Sequence, residues 1–310
     1  MVDPAVSQVR SFNRLVTQRV GALNDRYLAR DRPLGEARLL WEIGVDGCDV
    51  RRLRSRLDLD SGYLSRLLRS LETAKLIRVE PKEADRRVRT VRLTPAGRAE
   101  RDVLDRRSDE LARSFLEPLS EPRRQRLVTA MAEVERLLTA ALVEIDVVDP
   151  AHRDAQFCLH EYFDELGRRF DTGFDPALSI PIELDELRPP AGLFLVAALR
   201  GEPVGCGALK FHGDQPPDVK RMWVAESARG LGIGRRLLGE LERHAAAGGA
   251  RVIRLETNKA LTEAISLYRS AGYREIDAFN AEPYAHHWFE KQLGAGAGLG
   301  EPRPPTRLRS

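Results

Sequence analysis

Between Asp218 and Arg235 the chain reads Asp-Val-Lys-Arg-Met-Trp-Val-Ala-Glu-Ser-Ala-Arg-Gly-Leu-Gly-Ile-Gly-Arg, and this stretch limits what the second half of the protein can fold into. Val219, Met222, Trp223 and Val224 suit a strand. Glu226 and Ser227 make a polar turn. The run Arg229-Gly230-Leu231-Gly232-Ile233-Gly234 then leads straight into a helical period, Ile233, Leu237, Leu241 and Ala245. Glycines at a helix start let backbone N–H groups approach a ligand closely, and the positive end of the helix favours an anion. Arg229 and Arg235 add formal charge on either side. A pyrophosphate is the guest these features fit. The spacing is neither the Rossmann G-x-G-x-x-G nor a Walker loop ending in Gly-Lys-Ser/Thr. Taken alone, glycines in a strand-to-helix loop are also ordinary turn chemistry.

The residues after Arg251 narrow the choice. Arg251 to Thr257 alternates Arg254 and Glu256 with Ile253 and Leu255, the pattern of a strand, and Asn258 closes it. Leu261, Ala264, Ile265 and Tyr268 mark one face of a short helix, Gly272 stands where a C-terminal cap belongs, and Tyr273 opens another strand. The Arg-x-x-Gly-x-Gly loop, then Leu-Glu-Thr-Asn, then Glu-Ala-Ile-Ser-Leu-Tyr-Arg-Ser-Ala-Gly-Tyr, resembles in order and spacing the signature blocks of the GNAT N-acetyltransferase superfamily. The resemblance covers roughly residues 142–292 and implies an α/β fold with a mixed, splayed central sheet and acetyl-CoA as co-substrate. It implies backbone contacts from Met222 and Val224 to the pantetheine arm. The pyrophosphate falls to the loop of Arg229, Gly230, Leu231, Gly232, Ile233, Gly234 and Arg235. Asn258 holds the arm, and Leu267 and Tyr268 sit near the thioester. Tyr268 takes the place of the superfamily's thiolate-protonating tyrosine, and Asp218 stands where some members carry a glutamate base.

The first half has a different grammar. Val9, Phe12, Val16, Val20, Leu23 and Tyr27 predict a long amphipathic opening helix. Leu39, Leu40 and Ile43 predict a second, ended by Gly44 or Gly47, and Val50–Leu57 a third. After a turn at Asp58–Asp60, a helix buries Leu64, Leu67, Leu68 and Leu71 and turns Tyr63, Arg66 and Arg69 outward, with Asp60 or Ser61 as its N-cap. Two short helices with small and basic residues on the outer face of the second make the layout of a DNA-reading helix-turn-helix. A hairpin comes next, Leu76–Glu80 and Val88–Leu93, with Lys82, Arg86 and Arg87 at its tip, and Thr94-Pro95 starts another helix. The stretches Leu-Asp-Ser-Gly-Tyr-Leu-Ser-Arg-Leu-Leu-Arg-Ser-Leu-Glu, Ala-Asp-Arg-Arg and Val-Arg-Leu-Thr-Pro-Ala-Gly resemble those of MarR-type winged-helix regulators. That resemblance implies double-stranded DNA as a partner, contacted by Ser61, Tyr63, Ser65, Arg66, Arg69, Lys82, Arg86 and Arg87. It also implies a homodimer, built on the first helix and the stripe Leu127, Ala130, Met131, Val134, Leu137 and Leu138.

Charge agrees with this division. Residues 1–140 hold 29 Lys and Arg against 22 Asp and Glu, so the basic excess lies in the first half. The expected architecture is multidomain. A mainly-α winged helix (α+β) spans 1–141, an α/β GNAT domain 142–293, and a Gly/Pro-rich tail, expected to be disordered, 294–310. The N-terminus lacks a signal-peptide pattern and no apolar run is long enough to span a membrane, so a cytoplasmic protein is expected. Cys48, Cys158 and Cys206 read as isolated thiols; no metal site is expected, His286-His287 included. Residues 161–186 carry eight acidic side chains, an arrangement that suits a cationic amine or a merely solvated face. Three functions stay open. The chain is a bifunctional regulator and N-acetyltransferase acting on an unknown amine, a regulator whose second domain senses acetyl-CoA or a metabolite without chemistry, or an enzyme that keeps the winged helix as a scaffold.

Overall fold

In the computed structural model, which describes residues 3–23, 26–82, 85–171 and 173–294, short polar side chains start the helices of the first half. Asp49 accepts from the Arg51 amide and opens α3 (Val50–Leu57). Asp60 accepts from the Tyr63 amide and opens α4 (Ser61–Thr73). Thr94 accepts from the Gly97 amide, with Pro95 at the first position of α5 (Pro95–Leu116). These caps satisfy amides that the helices leave without partners. Ahead of them lie α1 (Pro4–Arg19) and α2 (Leu34–Ile43), which Gly44 ends at φ 69°. The opening helix is shorter than its apolar period predicts. It stops before Gly21, whose φ of 68° is left-handed, and Tyr27 sits instead in a separate single turn, edge-on to Trp41 at 6.3 Å.

Strands β1 (Cys48–Asp49), β2 (Ile77–Lys82) and β3 (Asp85–Leu93) form an antiparallel sheet in the order β1-β3-β2. The two-residue β1 is too short to leave a period in the sequence. Leu39, Leu40, Leu53, Leu68, Leu71 and Leu104 from four helices pack with Ile77 and Val91 of the hairpin into one core. Two buried carboxylates lock its polar seams. Glu36 accepts from the Ser70 hydroxyl at 2.6 Å and from Arg32. Glu100, 8% exposed, takes Arg30 at 2.5 and 2.9 Å and Arg32 at 3.2 Å. In contrast, α1 and α6 (Glu121–Ala141) bury no residue within the chain.

The chain divides into compact units at Met131/Ala132, within α6. The second unit is built on a seven-stranded sheet: β4 (Val143–Val147), β5 (Gly192–Leu199), β6 (Glu202–His212), β7 (Gln215–Val224), β8 (Val252–Thr257), β9 (Arg274–Ile276) and β10 (His287–Gln292). Their order is β4-β5-β6-β7-β8-β10-β9, antiparallel except for β7 and β8. Arg200 and Gly201, both at positive φ, make the tight turn between β5 and β6. Leu193, Leu195 and Ala197 point to one face, against α8 (Ile233–Ala247) and α9 (Thr262–Ser270). Phe194 and Val196 point to the other, against α7 (Arg153–Arg169). Cys158 and Cys206 are not isolated. α7 and β6 bring the two thiols side by side in this second core, where burial pushes the Cys206 thiol well up. Of the tail expected at 294–310, residues 295–310 lie outside the described residues. No described helix is long and apolar enough to cross a membrane.

The Arg30–Glu100 hydrogen bonds, ahead of the burial that opposes them, hold the Glu100 carboxyl below its usual range. A folded-state value below the unfolded one stabilises above about pH 4.3 and is lost as pH falls through the depressed value. Glu100→Gln should cost the first unit roughly 2 kcal/mol at pH 7, below the ~3–5 of a fully buried pair because Arg30 is 34% exposed. Urea titrations from pH 7 downward check this, with the wild-type advantage shrinking as the pH falls below about 4.3.

Candidate functional site

Strands β7 and β8 meet at a single bridge, Asp218 opposite Arg254, and then part. Beyond it Trp223 and Val224 pair with β6, and Arg221 and Met222 stand at a register shift in that pairing. A cleft of ≈ 470 Å³ opens there, bounded by α7, the glycine loop, the start of α8 and the face of α9. Gly230 (φ 82°) and Gly232 (φ 74°) hold left-handed backbone, and Gly232 is the residue before α8. These conformations suit glycine and turn the first amides of α8 toward the cleft. An added Cβ on Gly232 would meet nothing within 4 Å, so the space in front of it is open.

Met222, Val224, Arg229, Gly230, Gly232, Ile233, Gly234, Arg235, Leu267 and Tyr268, all expected at the coenzyme, line this one cleft. Leu231 instead packs against the core. Arg235 donates to the Ser270 hydroxyl at 2.6 Å, and Arg229 is paired with Glu165 at 2.6 and 2.7 Å. Glu165 also accepts from the Trp223 indole at 3.0 Å and from Arg169, which reaches on to Glu263. From α6, Arg136 donates to the Gly230 carbonyl at 3.0 Å.

A second cavity of ≈ 90 Å³ adjoins the first, lined by both strands and by the 170–182 and 282–285 segments. Met222, Tyr162, Leu166, Leu261, Ala264 and Tyr268 line both cavities, so Tyr268 sits at their junction. Tyr268 is 5% exposed, and burial raises its phenol well above the ordinary value, helped by Tyr162 and Glu256 nearby. Asn258 lines the second cavity. It donates to the Tyr284 carbonyl at 2.7 Å and accepts from the Ala260 amide. The Pro-containing 171–190 loop lies along this cavity: Ser179 and Ile180 donate to Glu282, and the Asp175 amide donates to the Tyr284 hydroxyl.

Asp218 lines neither cavity. It is 7% exposed and faces His212 at 3.0 Å and Lys220 at 3.6 Å. Lys220 is ion-paired with Glu256, which does line the second cavity. None of the eight acidic residues of 161–186 lines the second cavity; Glu165, Glu186 and Asp185 are tied to Arg229, Lys210 and Arg188. Glu165, Arg169, Arg221 and Glu256 are site residues that sequence reasoning passed over. The Glu165–Arg169 spacing of i, i+4 was readable, but their partners lie far along the chain. Among the described residues, His160, Glu161 and Asp164 bring ligand-type atoms within 4.8 Å on α7. His287 is engaged by Glu275 at 2.6 Å.

In the first unit, Ser61, Tyr63, Ser65, Arg66 and Arg69 are all exposed on α4. The Arg66 guanidinium lies 5.6 Å over the Tyr63 ring, and neither arginine has a carboxylate partner among the described residues. The side chains of Lys82, Arg86 and Arg87 lie outside the described residues.

Comparison with known proteins agrees with both halves. Residues 157–273 match the acetyltransferase (GNAT) family, and residues 31–88 match the MarR family. An IAA acetyltransferase of Azospirillum brasilense is 36% identical over 125 residues, 40% of this chain and 80% of its own length. The N-alpha-acetyltransferase RimI of Mycobacterium tuberculosis is 31% identical over 142 residues, 45% of this chain and 84% of its own. The structure of yncA from Salmonella typhimurium, solved with its cofactor acetyl-CoA, is 17% identical with a TM-score of 0.38, covering 51% of this chain and 97% of that one. The chain belongs to the GNAT acetyltransferase family and carries a MarR-family region ahead of that domain.

Gly232→Asp tests the loop. Aspartate tolerates positive φ better than most residues, so the fold should survive, while its carboxylate enters the space an anion needs. Acetyl-CoA binding should vanish by calorimetry with the unfolding of the first unit unchanged.

Proposed function

We propose that the protein is a cytoplasmic, dimeric DNA-binding regulator that also transfers acetyl from acetyl-CoA to an amine. The observation that carries the enzyme half is Tyr268, seated where the coenzyme cleft meets a separate, capped cavity. The names of the relatives, an acetyltransferase and an N-alpha-acetyltransferase, support the same class.

In this reading the α8 amides and Arg235 receive the pyrophosphate, and the free edge of β7 receives the amide groups of the pantetheine arm. The acceptor enters the second cavity. Its neutral amine attacks the thioester carbonyl, the C–N bond forms, the C–S bond breaks, the nitrogen releases one proton to solvent and the sulfur takes one, giving the amide and the free CoA thiol. Tyr268 is the donor to sulfur, and the proton released by the nitrogen restores the phenol. Burial keeps the phenol protonated through neutral pH and beyond, so it stays competent as a hydrogen-bond donor to the departing thiolate. Asp218 acts from behind, through Lys220, on Glu256, a carboxylate of the cavity that receives the amine.

The regulator half rests on α4, whose exposed face offers two arginines not held by carboxylates among the described residues. Dimerisation accounts for the apolar faces of α1 and α6: Val9, Phe12, Leu15, Met131, Leu137 and Leu138 are all exposed in one chain. A pair of chains would present two α4 helices to successive major grooves.

Two measurements test the halves separately. Tyr268→Phe should lower kcat about 10²-fold or more with acetyl-CoA affinity unchanged, and the wild-type kcat should show no alkaline fall below pH ~10. A wild-type rate in the variant, with chemistry limiting, removes the phenol from the mechanism. No turnover with any amine favours a sensor. Arg66→Ala with Arg69→Ala should abolish sequence-selective DNA binding, at ~1–3 kcal/mol per lost base contact, while acetyl-CoA still binds. Unchanged gel-shift affinity for a selected operator argues against α4 as the reading helix.

A further inference from the structure

The cations that line the two cavities are nearly all spoken for. Lys220 is held by Glu256 and Asp218, Arg229 by Glu165, and Arg169 by Glu165 and Glu263. Arg235 stands at the phosphate loop on Ser270. Arg221 is different. It is half-buried, lines the acceptor cavity, and has no carboxylate partner among the described residues. Its guanidinium lies over two aromatic rings, 4.9 Å from the centre of Phe163 and 5.8 Å from that of Tyr162. The rings hold the guanidinium by its faces and the Tyr162 hydroxyl is within reach of one N–H, which leaves the other N–H groups to find an acceptor.

The backbone shows how it is aimed. The β6–β7 pairing shifts register between Cys206 and Ala208, opposite Arg221 and Met222. Arg221 takes φ 55°, unusual for a residue within a strand. A bulge re-aims a side chain at the cost of local strain, and such strain is retained where a function uses it. The Cys206 thiol donates to the Arg221 carbonyl at 3.2 Å, which helps fix the bulge.

The carboxylates of the cavity give the complementary information. Glu256 is ion-paired with Lys220. Glu282 accepts from Ser179, Ile180 and Tyr284. Neither is left over to receive a second ammonium, which argues against a polyamine or a lysine-rich tail. One part of the wall is aromatic: Phe170, Phe174 and Tyr284 lie in ring contact at 4.8–5.8 Å, with the neutral polar side chains of Ser179, Thr257 and Asn258 elsewhere in the lining.

We propose that the acceptor is a free α-amino acid, held by its carboxylate on Arg221 and resting an apolar side chain on Phe170, Phe174 and Tyr284. This rests on the acetyltransferase reading and deepens it. An α-amino acid carries its carboxylate and its amine on the same carbon, so the anchoring cation must stand close to the reacting centre. Tyr162 meets that condition: it touches Arg221 and lines both cavities beside Tyr268. The amine then lies toward Tyr268 and Glu256. A protein N-terminus lacks the carboxylate and leaves the guanidinium unpaired, which a site built on a charged hydrogen bond penalises heavily.

The test uses the full-length protein with acetyl-CoA. The common α-amino acids, the amides of the apolar ones, the corresponding decarboxylated amines and spermidine are screened as acceptors by release of free CoA thiol. Apolar α-amino acids should be turned over, with kcat/KM about 10²-fold or more above that of their amides. Arg221→Gln should remove that advantage, leaving the amide rate within a few-fold and acetyl-CoA affinity intact. Arg221→Lys should restore part of it, because a cation alone suffices for part of the attraction. Amides or spermidine used as well as the free amino acid, or a carboxylate preference that survives Arg221→Gln, overturns the proposal. A second readout separates this from the enzyme reading: calorimetric titration of the amino acids into the CoA-saturated protein. Carboxylate- and Arg221-dependent binding without turnover keeps the amino-acid site and refutes acetyl transfer. Absence of such binding refutes the site.

Discussion

The second unit depends on one break in its sheet. Among the described strands β7 and β8 are the only parallel neighbours, and they share a single bridge at Asp218 and Arg254 before they separate. A strand that leaves its neighbour exposes a row of backbone donors and acceptors, and such groups do not stay unpaired in a protein interior. The gap therefore demands water or a ligand with amide-like groups. Everything around it is arranged to the same end: left-handed glycines before α8, the helix start aimed at the opening, and the α9 face with Leu267 and Tyr268 closing the far side.

Electrostatics then divides the opening into two chambers of different character. In the larger cleft Glu165 gathers Trp223, Arg229 and Arg169, so the positive charge of the loop is held in place but partly neutralised. In the second cavity the carboxylates are tied to Lys220 or to loop amides, and the Arg221 guanidinium is left in the lining. The 171–190 loop carries many acidic residues, yet it reaches the cavity through Phe174, Ser179, Ile180 and Ile182. A count of charges in that loop thus gives the opposite impression from the side chains that face the cavity.

The first unit follows the same logic on a smaller scale. Glu36 and Glu100 pair inside with Arg32 and Arg30, joining α2, α4 and α5 at their polar seams. Arg66 and Arg69 of α4 stay outside, without carboxylate partners among the described residues. α1 and α6 keep an apolar face that the single chain does not cover.

The sequence by itself determined what is local. Helix periods, the caps Asp60 and Thr94, the glycine loop before α8 and the alternation of β8 all act within a few residues. Their physics is complete in the sequence, and so the order of elements in both halves was legible. That the loop residues would line one cleft was legible too, because a loop and the helix it opens must stay together. Tertiary structure alone decided the partners of charge. Asp218 looked available from its spacing, but β6 brings His212 against it and Lys220 takes its remaining side. Glu165 and Arg229 meet across 64 residues, and Glu256 and Lys220 across 36. The thiols of Cys158 and Cys206 become neighbours only when α7 packs on the sheet. Arg221 reads as an ordinary strand arginine until a bulge turns it inward. Ion pairing and burial depend on distance in space, and no periodicity along the chain encodes which carboxylate a given guanidinium will find.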